Sequence, residues 1–459
     1  MRRAVYWLLA LFAVAAFFNA GSDEMRALKP HVRSAADLAP VFARPWLLAS
    51  LYVSNDSDEH LYYEYSRIVL GEDADIEYLI QNSMGDREGK RARLVAGIRP
   101  GQRYHVPYRD FDPGYPPVTM VVTLLPRLFA STLAGYRVVL GALLLGLYLL
   151  CLAAGFRLAR AMRLDYPLAD WTRRGALLLL AIGPICFIRL DLVPTLLVLW
   201  TVVSLVEERP FRAFLCSLLA IGAKLYALLL LPVWVALLFF SGEKSRRVAL
   251  RFAGAYVALG AIGLGTALLL GLRPARFASD LVIFSARPLQ IESVLGSVLL
   301  ALRGVGNVVG SWGSYNVVTP TTEALAPWWS ALMLVALLGV AAWAAVVARR
   351  QPAHDRVTTA RTLVSFTLAG ILVLLCVSKI LSTQYVIWAV PLVALVGGAT
   401  LFRLYLALLV LSQIVYPLLY GLLLQGSPPI VGVLLVRNAL LVTVTILALR
   451  AGAHPERAP

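Results

Sequence analysis

The sequence predicts an all-α polytopic integral membrane protein, and three observations carry that prediction. The chain is 59% hydrophobic and only 15% charged, against roughly 45–50% and about 25% in a soluble globular domain, and its mean hydropathy is +0.75. Apolar runs of about 20 residues, the length needed to cross a hydrocarbon core of about 30 Å, recur along nearly all of its 459 residues. Lysines and arginines gather in short connectors between those runs, the pattern of cytoplasmic loops. About ten to twelve transmembrane helices are expected, in a single membrane-embedded domain over 1–459.

The formal net charge of +16 follows from those basic connectors. Nothing in it calls for nucleic acid, because no basic strand interleaved with aromatics is present. The first apolar run, MRRAVYWLLALFAVAAFFNAGSD, resembles a signal peptide in layout. It reads here as an uncleaved first helix with Arg2 and Arg3 inside. One crossing then puts the only long polar region, residues 21–117, on the extracytoplasmic side. That region holds Asp56, Asp58, Glu59 and Glu64 among Tyr62, Tyr63 and Tyr65, followed by the turn PYRDFDPGYPP.

From residue 118 onward the chain reads as membrane helix. Basic connectors at 157–174, 207–212, 242–251 and 348–356, with Arg450 and Arg457 in the tail, fit cytoplasmic loops. Outward connectors lie around Arg189 and Asp191, Lys224 and Tyr226, residues 273–293, Lys379 to Tyr385, and residues 425–429. With the long loop outside and 157–174 inside, residues 118–130 and 135–156 cannot both cross. Either one of them is re-entrant or that connector breaks the charge rule.

Several motifs are excluded. The four cysteines sit inside apolar segments without CxxC spacing, as small buried hydrophobes do. The five histidines lack metal-ligand spacing, so no metal is expected. GxxxxGK[ST], GxGxxG and GxSxG are absent, and the SxxK match at Ser241 to Lys244 has no SDN or KTG beside it.

The informative residues are ionisable groups where lipid should be. Such a group costs about 2.5–3.5 kcal/mol at a bilayer centre, so it usually faces a cavity or a partner. Arg189 and Asp191 interrupt one apolar run, Lys224 stands alone between two others, Lys379 precedes LSTQYVIWAVP, and FSARPLQIES carries Arg287, Gln290 and Glu292. Singly these are ordinary interfacial or ion-paired residues. Together, Arg189, Lys224, Arg287 and Lys379 map to the same side as the acidic loop. Cations at bilayer depth suit a phosphate whose attached chain lies in lipid, and carboxylates above them suit proton abstraction from a hydroxyl.

DEHLYY at 58–63, PYRDFDPGYPP at 107–117, RLDLVP from Arg189, KLY from Lys224, RPLQIES from Arg287 and STQYVIW from Ser382 occur in this order. The set resembles glycosyltransferase family 87, the polyprenyl-phosphate-sugar-dependent branch of the GT-C enzymes, over residues 58–391. Two positions depart from that family's pattern: Ala227 stands where proline often follows Lys-x-Tyr, and Thr383 where proline often precedes Gln-Tyr.

The resemblance implies a GT-C fold with a large first extracytoplasmic loop, in a plasma membrane of bacterial type. It implies transfer of a sugar, mannose first among the candidates, from a polyprenyl-phosphate donor to a hydroxyl of a glycolipid or glycan, with inversion. The family's general base is the aspartate after the first helix, here Asp58, with Asp112 the next candidate. Crowding by Asp56 and Glu59 is expected to favour its proton uptake, with Glu59 facing water and Tyr62 sharing the Asp58 face of a helix. Lys224, Lys379, Arg287 and Arg189 are candidate donor-phosphate ligands, with Asp191 able to neutralise Arg189. Tyr62, Tyr115, Gln384, Glu292, Tyr226, Asp112 and His105 are candidates for shaping the substrate site. A polyprenyl phosphate is already a stable anionic leaving group, so no cofactor is expected. The rival from another class is a transporter or flippase for a lipid-linked sugar, which would use the same cationic groove without chemistry.

Overall fold

The computed structural model describes residues 58–82, 105–108, 110–111, 113, 115–164, 167–269, 287–311, 314–351, 355–396 and 398–453. The N-terminal run, Asp56 and Asp112 lie outside them. The described chain is mostly helical. Five helices are long and apolar enough to cross a membrane: Leu133–Ala161, Pro320–Arg350, Arg356–Val377, Ala399–Leu418 and Pro428–Ala453.

Between these lie shorter apolar helices, including Leu192–Val206, Pro210–Ala223, Leu225–Phe240 and Thr383–Val396. Fifteen helical residues rise only about 22 Å. Several of these helices are continued by tight 3₁₀ turns, at Gly183–Phe187, Leu225–Leu230 and Thr383–Ala389. Gly183, at φ 66°, ends the Leu168–Ile182 helix in a conformation that disfavours a side chain. The 3₁₀ turn at Leu225–Leu230 includes Ala227, and Thr119 Oγ1 donates to the Ala223 carbonyl at 2.7 Å. Backbone at membrane depth can leave the helix only where protein satisfies it, and the polar candidates stand at these breaks.

Residues 118–156 divide into elements of unequal length. Pro117–Leu128 is a short helix, and Leu133–Ala161, capped by Thr132, has 29 residues. Only the second is long enough to cross. Contacts sort the connectors into two ends. At one, Arg157 pairs with Glu207 at 2.6 Å, Lys244 with Glu208 at 2.6 Å, and Arg356 and Arg361 donate to the carbonyls of Val206 and Met162. The basic connectors therefore meet one another, and Arg189, Lys224 and Lys379 lie at the opposite ends of their helices.

Of the long polar region, the described part contains the helices Asp58–Leu70 and Ile76–Asn82 and a bridge between Pro107 and Phe111. Leu61, Tyr65 and Ile68 bury one face of the first helix with Phe111 and Met120, while Tyr63 Oη donates to the Ser131 carbonyl at 2.7 Å. A small antiparallel sheet, which the all-α expectation did not include, joins Leu289–Gln290, Ser314–Val317 and Val308–Ser311, with Ser314–Val317 central.

Candidate functional site

The Asp58–Leu70 helix presents Asp58 in its first turn, and its carboxylate pairs with the guanidinium of Arg189. Arg189 follows the Gly183–Phe187 turn, and two residues later Asp191 opens the Leu192–Val206 helix. The Asp191 side chain does not cap that helix. Its Oδ1 instead accepts from Lys224 Nζ and from Trp388 Nε1, each at 2.6 Å. The sequence allowed Asp191 to neutralise Arg189. The structure corrects this: two residues apart on a bent segment, the two side chains part, and Arg189 serves Asp58 while Asp191 serves Lys224.

Lys224 sits in extended backbone between the Pro210–Ala223 helix and the next 3₁₀ turn. Its ammonium lies 4.4 Å from the centre of the Tyr385 ring and 5.1 Å from that of Trp388, a cation–π arrangement. Tyr226 stacks on Trp388 at 3.9 Å with planes 5° apart, and Tyr385 stacks on it at 4.6 Å. These three rings place Tyr226 in the wall of the site.

Tyr62 shares the Asp58 side of its helix, as the four-residue spacing predicted. It is buried and meets Tyr115 edge to face at 5.4 Å. Burial raises the Tyr62 phenol well above its ordinary value, with Tyr115 and then Asp191 adding to the effect. Burial likewise raises Tyr115, with contributions from Tyr65, Tyr78, Tyr385 and Asp191. Both phenols stay protonated donors, close to the Asp191 carboxylate.

Glu59 corrects another expectation. It is 1% exposed and lies 3.6 Å from Arg137 Nε, buried between its own helix and Leu133–Ala161. It does not face water, because the helix packs on its tyrosine face and Glu59 falls at that face's edge. Its charge is answered by Arg137 rather than set against Asp58.

A second cluster forms around the small sheet. Arg287, 5% exposed, donates to Ser314 Oγ at 3.1 Å, and Lys379, 3% exposed, approaches the Ala326 carbonyl at 3.5 Å. Burial, then the Arg287 charge, pushes the Lys379 ammonium down to about 8, so the two cations feel each other. The Tyr385 phenol is within electrostatic reach of Arg287, and it also neighbours Tyr115 and Lys224. Tyr385 thus stands between the carboxylate cluster and the buried cation pair.

Glu292 holds this second cluster together. Its Oε1 accepts from Thr383 at 3.0 Å and its Oε2 from Gln290 at 2.9 Å, with Arg437 Nη2 3.6 Å away. Gln290 Oε1 in turn accepts from the Leu381 amide at 2.9 Å. Arg437 is fully buried, and with Asn438 it also donates to the Glu292 carbonyl. A Cβ at Gly296 would fall 2.0 Å from the Gln290 carbonyl oxygen, so glycine lets this loop close. Glu292 acts here as a brace. Thr383 supplies one of its donors, and Gln384 follows half-buried in the same turn.

His105 lies elsewhere. It is buried with Nδ1 3.1 Å from the Ile68 carbonyl, ten residues and about 15 Å of helix from Asp58, so it braces the far end of that helix. Asp112 is outside the described residues. The sequence reading assigned no role to Tyr385 and Trp388 and did not single out Arg437. Tyr385 and Trp388 were legible within STQYVIW, three apart in an apolar run. Arg437, a cation in the middle of an apolar run of the final helix, carried the same signal as Lys224.

The whole arrangement can orient a carboxylate, hold anions at buried cations and offer aromatic faces to a ring. No family model matches the chain, and neither the curated proteins nor the solved structures contain a match.

Proposed function

We propose that the protein is a GT-C-type membrane glycosyltransferase that moves a sugar, mannose first among the candidates, from a polyprenyl-phosphate donor to a hydroxyl of a glycolipid or glycan. The reaction takes place on the extracytoplasmic side of a plasma membrane of bacterial type. In this reading the short broken helices complete ten to twelve crossings. The observation that carries the proposal is the Asp58–Arg189 pair, a carboxylate held by a cation two residues before Asp191, the partner of Lys224, at the end of the helices opposite the basic connectors.

The acceptor hydroxyl attacks the anomeric carbon from the face opposite the phosphate. The new glycosidic bond forms as the carbon–oxygen bond to phosphate breaks, and its electron pair leaves with the polyprenyl phosphate. The acceptor proton passes to Asp58, which Arg189 orients. Buried cations stabilise the departing phosphate in a medium where charge interactions are strong. Tyr62, Tyr115 and Tyr385 would contact the sugar, since Tyr62 packs on Tyr115 and Tyr385 neighbours Tyr115 and Lys224. A flippase would use the cations and leave Asp58 without work.

Mass spectrometry of lipids from cells with and without the protein tests this. The expected result is a glycolipid series that stops one hexose short in its absence. An unchanged glycolipid series, with lipid-linked sugar accumulating on one leaflet, would favour the flippase.

A further inference from the structure

At the end of the helices where the basic connectors meet, four guanidiniums from separate segments converge on residues 206 and 207. Glu207 closes the Leu192–Val206 helix, and its Oε1 accepts from Arg157, near the end of Leu133–Ala161, at 2.6 Å. Its Oε2 lies 3.7 Å from Arg209 Nε and 3.6 Å from Arg212 Nη1, beyond hydrogen-bond distance. Arg356, which opens the Arg356–Val377 helix, donates to the neighbouring Val206 carbonyl at 3.1 Å. Beside them Glu208 pairs with Lys244, and Asp355 caps its own helix by accepting from the Thr358 amide at 2.7 Å. With these included, cations still outnumber carboxylates in the cluster, five to three. Arg212 lies 4.7 Å and Arg157 5.8 Å from the centre of the Trp200 ring, so one indole helps to fix two of the guanidiniums.

We propose that this cluster binds the phosphate of an anionic phospholipid from the surrounding bilayer, with an acyl chain laid along the Pro210–Ala223 helix. Arg209 precedes that helix and Arg212 lies in its first turn. Phe211, Leu215 and Leu219 follow at four-residue spacing on one face. All three are exposed, Phe211 at 67%, and the stripe they form runs for about 12 Å. A water-soluble anion would need the cations alone. Cations at the head of an exposed apolar stripe match a molecule with an anionic head and a hydrocarbon tail. Trp200 fits the same level, because tryptophan favours the boundary between headgroups and hydrocarbon. The site lies at the end of the helices opposite Asp58 and Arg189, and it does not depend on the proposed reaction.

The test is equilibrium binding of dioleoyl phosphatidylglycerol to the full-length protein in detergent, with dioleoyl phosphatidylcholine and glycerol phosphate as comparisons. Phosphatidylcholine has the same tails without the net charge, and glycerol phosphate has the charge without the tails. Phosphatidylglycerol is expected to bind at least about ten-fold more tightly than either, since each basic residue near an anionic lipid contributes about five-fold. Arg209→Gln and Arg212→Gln should each weaken phosphatidylglycerol about five-fold, and the double variant roughly twenty-five-fold. Phosphatidylcholine should bind these variants as it binds the wild type. Arg350→Gln removes an exposed cation elsewhere at the same end and should change the affinity less than about two-fold. The Arg209 side chain is 60% exposed, so Arg209→Gln reports on binding even where Arg212→Gln, beside Trp200, lowers the melting temperature. Wild-type affinity in Arg209→Gln and in the double variant would overturn the proposal, as would an equal loss in Arg350→Gln or equal binding of phosphatidylcholine. Glycerol phosphate binding as tightly as phosphatidylglycerol would mark a site for a soluble phosphate and overturn it also.

Discussion

The carboxylate of Asp58 and the guanidinium of Arg189 form an ion pair between the first turn of the Asp58–Leu70 helix and the break before Leu192–Val206. Two segments 131 positions apart in the chain meet there, and neither residue alone predicts the other. A guanidinium offers a planar fork that fixes a carboxylate's orientation, so Arg189 positions the base. Asp58→Asn should lower kcat by about 10²–10⁴-fold, the usual cost of losing a general base, with donor binding retained. Arg189→Gln should lower kcat with little change in donor KM. A donor KM defect in Arg189→Gln with unchanged kcat would return Arg189 to the phosphate ligands.

Glu59 and Arg137 predict a different kind of defect. Removing one partner of a buried ion pair typically costs about 3–5 kcal/mol because the other charge is stranded. Glu59→Gln and Arg137→Met should each lower the melting temperature, and the double variant should recover much of the loss. Thermal unfolding in detergent checks this, and additive losses would show that the two do not act as a pair.

Asp191 is shared by Lys224 and Trp388, so Asp191→Asn should disturb both. The expected outcome is a kcat defect like that of Lys224→Ala, and a double variant no worse than either single one, as in a unit whose effects are not additive. Multiplying defects in steady-state kinetics would mean that Lys224 acts without Asp191.

Lys379 gives a pH dependence. Burial and then Arg287 lower its value from the ordinary lysine range to about 8, so the folded protein pays for its charge below that pH and is relieved of the penalty as pH rises toward the unfolded lysine value near 10.4. Anion binding has the opposite trend, because it needs the proton. Arg287 is within electrostatic reach of Lys379, and a guanidinium keeps its charge throughout this range. Polyprenyl-phosphate donor affinity should therefore fall above pH 8 in the wild type and stay flat in Lys379→Arg. Equal pH profiles in the two proteins would contradict the assignment.

Much of this was legible in the sequence, for identifiable reasons. Lone charges in apolar runs can only be tolerated at a cavity or a partner, so Arg189, Asp191, Lys224 and Lys379 marked the helix breaks before any coordinates. The i to i+4 spacing placed Tyr62 beside Asp58. Pairing was not legible, because ion pairs are made across helices: Arg189 with Asp58, Lys224 with Asp191 and Glu59 with Arg137 depend on which helices touch. Glu292 had the look of a substrate contact because its partner, Arg437, lies 145 positions away. His105 shared the acidic loop with Asp58 yet packs at the other end of the same helix.

Purified protein in detergent, given a polyprenyl-phosphate hexose and a lipid extract from cells lacking it, provides the decisive reading. A hexose should appear on an acceptor lipid with the wild type and with Glu59→Gln that has been confirmed as folded, and should fall to the background with Asp58→Asn that unfolds at the wild-type melting temperature. Product from Asp58→Asn at more than about a tenth of the wild-type rate, less than the smallest loss expected for a missing base, would contradict its assignment. Absence of product from the wild type, with transfer of the donor between leaflets in vesicles, would contradict glycosyl transfer itself.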